Sequence, residues 1–231
     1  MIELLKTIEF SPFIVSFKLA AITTLILFFI SLPLAWYLSQ TKSKFKPILE
    51  AITALPLVLP PSVLGFYILW ILSYNSPIGG FFEEYFGIKL VFNFTGLVIA
   101  SCFYSLPFMV QPLQSGFESL NKNMLEASYI CGKNKTQTLF KIALPNIKPA
   151  LMTAIIVTFA HTVGEFGVVL MVGGSIPGET KVASVAIYEF VEIMDYTNAH
   201  IYSAIMVIMS FLVLLGVYIF NRKQKKSVVG I

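Results

Sequence analysis

Residues 123–145 read NMLEASYICGKNKTQTLFKIALP, a polar, lysine-rich segment in an otherwise apolar chain. Its first part predicts a short helix that ends at Gly132, because glycine adopts the positive φ of a helix C-terminus without a Cβ clash. Asn134 is placed to cap a second helix, with Gln137 three residues later in a capping-box pattern. Pro145 is expected to end that helix, since proline cannot continue the hydrogen-bond ladder. The segment is therefore predicted to be a rigid helix, turn, helix.

The rest of the chain is too apolar for a water-soluble domain. Of its 231 residues, 57% are hydrophobic and 12% are charged, whereas in soluble domains about 25% are charged. Five stretches reach the roughly 20 mainly apolar residues that a membrane-spanning helix requires. They are Phe13–Leu38, Ala51–Ser73, Phe92–Leu113, Ala150–Val172 and Ile201–Phe220. The sequence therefore predicts a single all-α integral membrane domain over residues 1–231, with about five transmembrane helices in the lipid bilayer.

Lysine and arginine cluster in alternate connections, which predicts how the chain crosses the membrane. The segments 39–50, 114–149 and 221–231 hold most of the basic residues, whereas each opposite segment has a single lysine: Lys6, Lys89 or Lys181. Basic residues concentrate in cytoplasmic loops, so the N-terminus is expected outside and the C-terminus inside. Basic residues that cluster in alternate connections, and do not form a stripe with interleaved aromatic residues, do not indicate nucleic-acid binding.

The polar segment 123–145 resembles the cytoplasmic signature of the permease subunits of ABC importers. That signature runs Glu-Ala-Ala, three residues, Gly, nine residues, then Ile, any residue, Leu, Pro. The matching residues are Glu126, Ala127, Ser128, Gly132, Ile142, Leu144 and Pro145, with serine in place of the second alanine. In such permeases the short helix docks in a groove of the ATPase, so the resemblance implies an ATPase-coupling role for these residues in a coupling loop over 114–149. From the residues alone, the alternative is an amphipathic helix on the membrane surface.

Further elements resemble the molybdate permeases within this family. They are LPPSVLG at 59–65, GIKLVF at 87–92, GEFG at 164–167, and GGSIPGET at 173–180 followed by AIY at 186–188. Related sulfate permeases share the GEFG element, whereas the IPGET run favours molybdate; sulfate, thiosulfate and tungstate remain alternative substrates. The resemblance implies a MetI-like permease fold, a two-fold homodimer, a cytoplasmic ATPase dimer and a periplasmic or surface-tethered oxyanion-binding protein.

The chain lacks the G-x-x-x-x-G-K-[ST] phosphate loop, so ATP hydrolysis is assigned to a partner subunit. No catalytic residue, cofactor or metal site is expected. Ser101, Ser105 and His161 are the residue types of an intramembrane hydrolase, but no serine lies in a G-x-S-x-G setting. A secondary transporter, the other alternative, would normally show an internal repeat, and none is visible between the halves.

Two places within the apolar stretches are candidates for the pore or its gate. Pro60 and Pro61 interrupt the second stretch and predict a bend, which either lines the pore or only lets a bent helix pack. The second candidate site comprises Gly164, Glu165, Phe166 and Gly167. Ionisable residues within a membrane face protein or water, so Glu165 either belongs to an outer gate, snorkels to the outer interface, or is hydrogen-bonded within the bundle. As a carboxylate it would repel an oxyanion, and His161, one turn earlier, is expected to be a satisfied interior histidine.

The connection between the fourth and fifth stretches, Gly173–Ala199, is longer than a turn requires. Long ordered connections in compact proteins are usually functional. Turn-forming residues come first, and a helical pattern follows from Val182 to Phe190. This outer segment is therefore expected to contain a helix that can cap the pore.

Overall fold

The computed structural model describes the backbone of residues 9–229, which form helices and connections without a strand. The prediction that the N-terminus lies on the outer side concerns residues 1–8, which are not among the described residues. Numbered in chain order, the helices are α1 (Ser11–Gln40), α2 (Lys46–Ala54, continued by a 3-10 turn at Leu55–Leu57), α3 (Pro61–Leu72), α4 (Pro77–Phe86), α5 (Phe94–Glu118), α6 (Lys122–Ile130), α7 (Lys135–Thr138), α8 (Leu144–Asn146), α9 (Lys148–Val163), α10 (Gly167–Gly173), α11 (Ala183–Glu192) and α12 (Tyr196–Val229). A π-helical turn at Leu139–Ala143 joins α7 to α8.

Three helices are each long and apolar enough to cross a membrane. They are α1, α5 and the part of α12 from Tyr196 to Gly216, which confirm the first, third and fifth predicted stretches. Two further pairs of helical segments, each bent at a short break, are long and apolar enough to cross a membrane if the two halves are counted together. The described residues therefore hold three to five candidate spans. The all-α membrane fold class predicted from the sequence is confirmed.

The second apolar stretch is not one helix, as the bend predicted at Pro60 and Pro61 indicated. The helical segments Lys46–Leu57 and Pro61–Leu72 meet at an angle of 107°. Pro60 is extended, with φ −54° and ψ 137°, and Pro61 begins α3. Because two consecutive prolines remove two hydrogen-bond donors and the residue before a proline avoids the helical region, the predicted bend becomes a complete break.

The fourth apolar stretch is also broken, which the prediction of a single span missed. Helix α9 ends at Val163, and α10 begins at Gly167. Gly164 caps α9, while Phe166 has the non-helical angles φ −129° and ψ −65°. At 1.5 Å per residue α9 is about 24 Å long, shorter than the hydrocarbon core of about 30 Å. Glu165 therefore lies in the break and not on a continuous helix.

The core of the bundle is formed by α1, α5 and α9, which pack against one another. One large cluster joins buried side chains from all three, including Leu27, Met109 and Ala154, and the rings of Trp36 and Phe117 meet edge-on at 5.1 Å. Helix α10 packs against α3 and α5, and α11 packs against α1 and α12. This arrangement places both broken stretches and the outer helix α11 beside the same core.

Candidate functional site

The predicted short helix of the coupling loop is present as α6. Gly132 follows its end with φ +77°. The Gly132 amide donates to the Tyr129 carbonyl (2.9 Å), and the Lys133 amide donates to the Ser128 carbonyl (3.1 Å), the hydrogen-bond pattern of a Schellman cap. A Cβ added at Gly132 would meet no atom within 4 Å. The turn therefore requires glycine for its backbone conformation and not for space.

The second half of the coupling loop is capped as predicted and fastened to α6. The Asn134 side chain accepts from the Gln137 amide (2.8 Å), and the Gln137 side chain accepts from the Asn134 amide (3.2 Å). The Ser128 hydroxyl donates to the Leu125 carbonyl (2.8 Å) and lies 2.8 Å from the Thr138 hydroxyl. Serine, the one departure from the family signature, thus joins α6 to α7 by a contact that alanine cannot make.

The prediction that Pro145 ends the second helix is wrong by one residue. Pro145 lies one residue before the end of the continuous helical segment Lys135–Asn146. The segment Lys135–Asn146 then turns by 82° into α9. The coupling loop is therefore connected to α9 by a short, sharp corner.

One face of α6 is exposed and partly apolar. Leu125 and Ser128 are buried, whereas Tyr129 is 41% exposed and Ile130 is 87% exposed. The other predicted coupling residues fall into two groups: Glu126, Ala127, Gly132 and Pro145 are exposed, and Ile142 and Leu144 are half-buried. The structure therefore presents α6 as a projecting helix, with an isoleucine at its tip that has no covering residue in the described part of the chain.

The two broken stretches meet each other at their breaks. A Cβ added at Gly167, the first residue of α10, would lie 2.8 Å from the Pro61 Cβ at the start of α3. One turn further along, a Cβ at Gly65 would lie 2.9 Å from the Met171 Cβ. Glycine therefore permits α3 and α10 to approach closely. The structure brings together the two candidate gate sites, which the sequence could only indicate separately.

Glu165 is buried inside the bundle, with 3% of its surface exposed. The Ser101 hydroxyl donates to Oε2 (2.5 Å), and the Ser105 hydroxyl donates to Oε1 (2.6 Å). The Glu165 carbonyl accepts a hydrogen bond from the Ser184 hydroxyl of α11. Glu165 therefore does not snorkel to the outer interface but is hydrogen-bonded within the bundle, and its place in a gate stays a prediction. Glu165 ties the break to α5 through its side chain and to α11 through its backbone.

His161 completes this polar cluster. Its Nδ1 lies 2.9 Å from the Ser105 hydroxyl and 3.5 Å from Glu165 Oε1. In a serine hydrolase the serine and the acid contact opposite ring nitrogens, whereas here both contact Nδ1. The cluster therefore lacks the geometry of a catalytic triad, although it contains the three residue types.

The outer connection contains the expected helix, α11, and is fixed at several points. The Ala183 amide donates to the Ser16 hydroxyl of α1 (2.9 Å), and the rings of Phe166 and Tyr188 lie 5.0 Å apart. Lys181 forms an ion pair of 2.5 Å with Glu189. Burial raises the pKa of the Glu189 carboxyl, but hydrogen bonds, chiefly that from Lys181, outweigh burial and hold it below its usual value. Helix α11 therefore contacts both α1 and the break beside Glu165.

The sequence matches, over residues 28–229, the family described as binding-protein-dependent transport system inner membrane component. The chain belongs to this family. It is 47% identical over 206 residues to the molybdenum transport system permease protein ModB of Azotobacter vinelandii, covering 89% of this chain and 91% of the relative. It is 30% identical over 197 residues to the sulfate transport system permease protein CysT of Salmonella typhimurium, covering 85% and 71%.

Solved structures show the same fold at low sequence identity. A chain of the MetNI methionine ABC transporter has a TM-score of 0.70 and 18% identity, covering 90% of this chain and 92% of that one. A chain of a bacterial alginate ABC importer has a TM-score of 0.76 and 16% identity, covering 92% and 78%. The MetI-like permease fold expected from the sequence is confirmed, and the family description gives this multi-pass member an inner-membrane location.

Proposed function

We propose that this chain is the permease subunit of an ABC importer that carries molybdate across the inner membrane. The main support for molybdate as the substrate is the 47% sequence identity to a molybdenum permease, compared with 30% to a sulfate permease. The IPGET run, which resembles molybdate permeases, forms an ordered turn: the Thr180 hydroxyl donates to the Gly173 carbonyl (2.7 Å) and accepts from the Ile176 amide (2.9 Å). Tungstate and sulfate, which are also tetrahedral dianions, are the competing substrates.

The proposed assembly contains two copies of this chain, an ATPase dimer inside and an oxyanion-binding protein outside. The whole chain, residues 1–231, acts as one permease domain with its N-terminus outside and its C-terminus inside. Large side chains of α3 are exposed in the single chain, among them Phe66, Tyr67 and Trp70. In a two-fold dimer, this face of one copy would pack against the same face of the other copy. Two copies then form the complete pathway.

The coupling loop, residues 114–149, is the proposed contact with the ATPase. Exposed apolar residues on a projecting helix suit a partner's groove, and Tyr129 and Ile130 supply them on α6. The corner of 82° after Asn146 connects this helix to α9. Movement of α6 as the ATPase dimer closes is thereby passed to the span that carries the break at Glu165.

The paired breaks are the proposed outer gate. Pro60 and Pro61 on one side and the residues Gly164–Gly167 on the other meet where Gly167 faces Pro61. Broken helices are found in membrane proteins where they line a cavity. Coupling requires the ATPase contact and the gate to bias one equilibrium, and α9 provides a direct connection between them. Transport is then alternating access driven by ATP binding and hydrolysis in the partner.

Copurification with the ATPase encoded beside this chain tests the assembly. We expect a stable complex whose ATPase rate rises with the molybdate-loaded binding protein. Stimulation by the sulfate-loaded form alone would instead assign a sulfate permease, and failure to copurify would refute the importer assignment. Ile130→Ser should weaken the complex, whereas Ile193→Ser, a matched change at a residue 70% exposed in the outer connection, should not.

A further inference from the structure

The buried carboxylate of Glu165 lies beside a histidine that reaches the surface. A carboxylate inside a membrane protein needs compensating partners. Among the described residues, the one group able to carry a positive charge within 4 Å of Glu165 is His161, at 3.5 Å. The Glu165 side chain is fully buried, whereas 20% of the His161 side chain is exposed. The histidine therefore occupies the position between the acid and the surface of the chain.

Hydrogen-bond directions fix which ring nitrogen of His161 is free. The Ser105 hydroxyl donates its single proton to Glu165 Oε1. The contact of 2.9 Å between Ser105 Oγ and His161 Nδ1 then requires a proton on Nδ1. The remaining ring nitrogen, Nε2, makes no hydrogen bond among the described residues.

Two aromatic rings hold the imidazole in place. The Phe108 ring is stacked on it at 3.8 Å between centroids, and the Tyr104 ring lies at 4.8 Å. Aromatic faces attract a cation at such distances. With Nδ1 directed at buried groups and one ring face covered by Phe108, the exposed part of His161 lies toward Nε2. A polar edge exposed within a span faces protein or water and not lipid.

We infer that His161 carries a proton on both ring nitrogens beside Glu165 and is a residue of the translocation pathway, where its Nε2–H donates a hydrogen bond to the tetrahedral oxyanion, with Glu165 as its positioning residue. The inference rests on the proposed function and adds a specific contact to it. Glu165 alone would repel a dianion, but the neutral pair with His161 removes that repulsion and replaces it with a donor. One such donor per chain binds an oxyanion weakly enough for it to leave, as transport requires.

Cysteine modification in the assembled complex tests where His161 faces. In a Cys102→Ala, Cys131→Ala background, His161→Cys should react with a sulfonate-bearing, water-soluble thiol reagent, and molybdate should slow the reaction. The control is Phe211→Cys on α12, where the parent side chain is 61% exposed and the apolar part of the helix is only 11% buried; it should stay unmodified. Reaction at position 161 no faster than at 211, or unaffected by molybdate, would overturn the inference.

Uptake kinetics test the contact and the role of Glu165. His161→Phe should reduce molybdate uptake about tenfold, the effect of losing one hydrogen bond between charged groups, and His161→Arg should restore part of it. If Glu165 acts through His161, Glu165→Leu should add little in the His161→Phe background; additive losses would contradict this. A wild-type complex without molybdate uptake would refute the proposed function itself, whereas normal uptake by His161→Phe would refute only this inference.

Discussion

Replacing Gly132 with valine perturbs the coupling helix at one backbone position. The residue has φ +77°, and a Cβ there would meet no atom within 4 Å, so the cost is backbone strain alone. A left-handed conformation costs a non-glycine residue about 1–2 kcal/mol, which is a factor of about 5–30 in the equilibrium between capped and uncapped ends of α6. We therefore expect uptake by Gly132→Val to fall severalfold while the protein still inserts, because its apolar spans are unchanged.

The assay is uptake into membrane vesicles, normalised to the amount of inserted permease. Two further variants vary the backbone strain at this position. Gly132→Asn should retain most of the uptake activity, because asparagine tolerates this conformation. The uptake activity of Gly132→Ala should lie between those of the asparagine and valine variants. Uptake by Gly132→Val equal to that of the wild type would refute the reasoning. A loss in Gly132→Asn as large as in Gly132→Val would also refute it, since strain would then not be the cause.

Three further predictions concern topology, gating and the coupling loop. A cysteine at Lys135 should react with an impermeant thiol reagent only in opened cells, and one at Glu179 in intact spheroplasts; labelling at 135 from outside would reverse the proposed orientation. A cysteine at Phe166 should change its modification rate when the ATPase is trapped in its ATP-bound state; an unchanged rate with a closed ATPase would argue against a gate there. Ser128→Ala should weaken the coupling loop by about 1 kcal/mol, measured by thermal unfolding, with little further loss on adding Thr138→Ala; additive losses would show that the two hydroxyls act separately.

Local features of the coupling loop were predictable because their causes are local. The Schellman turn at Gly132 and the capping box of Asn134 and Gln137 depend on hydrogen bonds between residues at most five positions apart. The residue types alone therefore specify them. Helix α4 had the same kind of signal: Ser76 caps its start, and Gly87 ends it with φ +66°. That helix was not predicted, because it lies in the connection between two apolar stretches and not within either of them.

The breaks were not predictable from apolar composition, which reports the polarity of a segment and not the continuity of its backbone. The proline pair at 60–61 signalled a bend, but the packing of α3 against α10 beside it joins residues about 100 positions apart and was not visible in the sequence. The position of Glu165 depends on Ser101 and Ser105, about 60 residues away along the chain, and on Ser184 of α11. Such long-range hydrogen bonds follow from tertiary packing, so the sequence could only leave the alternatives for Glu165 open.

The most direct test of the proposed function is uptake by purified components. Proteoliposomes would contain this chain with its ATPase, ATP inside and the binding protein outside, and would be supplied with radiolabelled molybdate. We expect molybdate to accumulate only when ATP and the binding protein are both present, with excess unlabelled sulfate competing poorly. Accumulation of sulfate in preference to molybdate would contradict the proposed substrate, and accumulation without ATP would contradict an ABC importer.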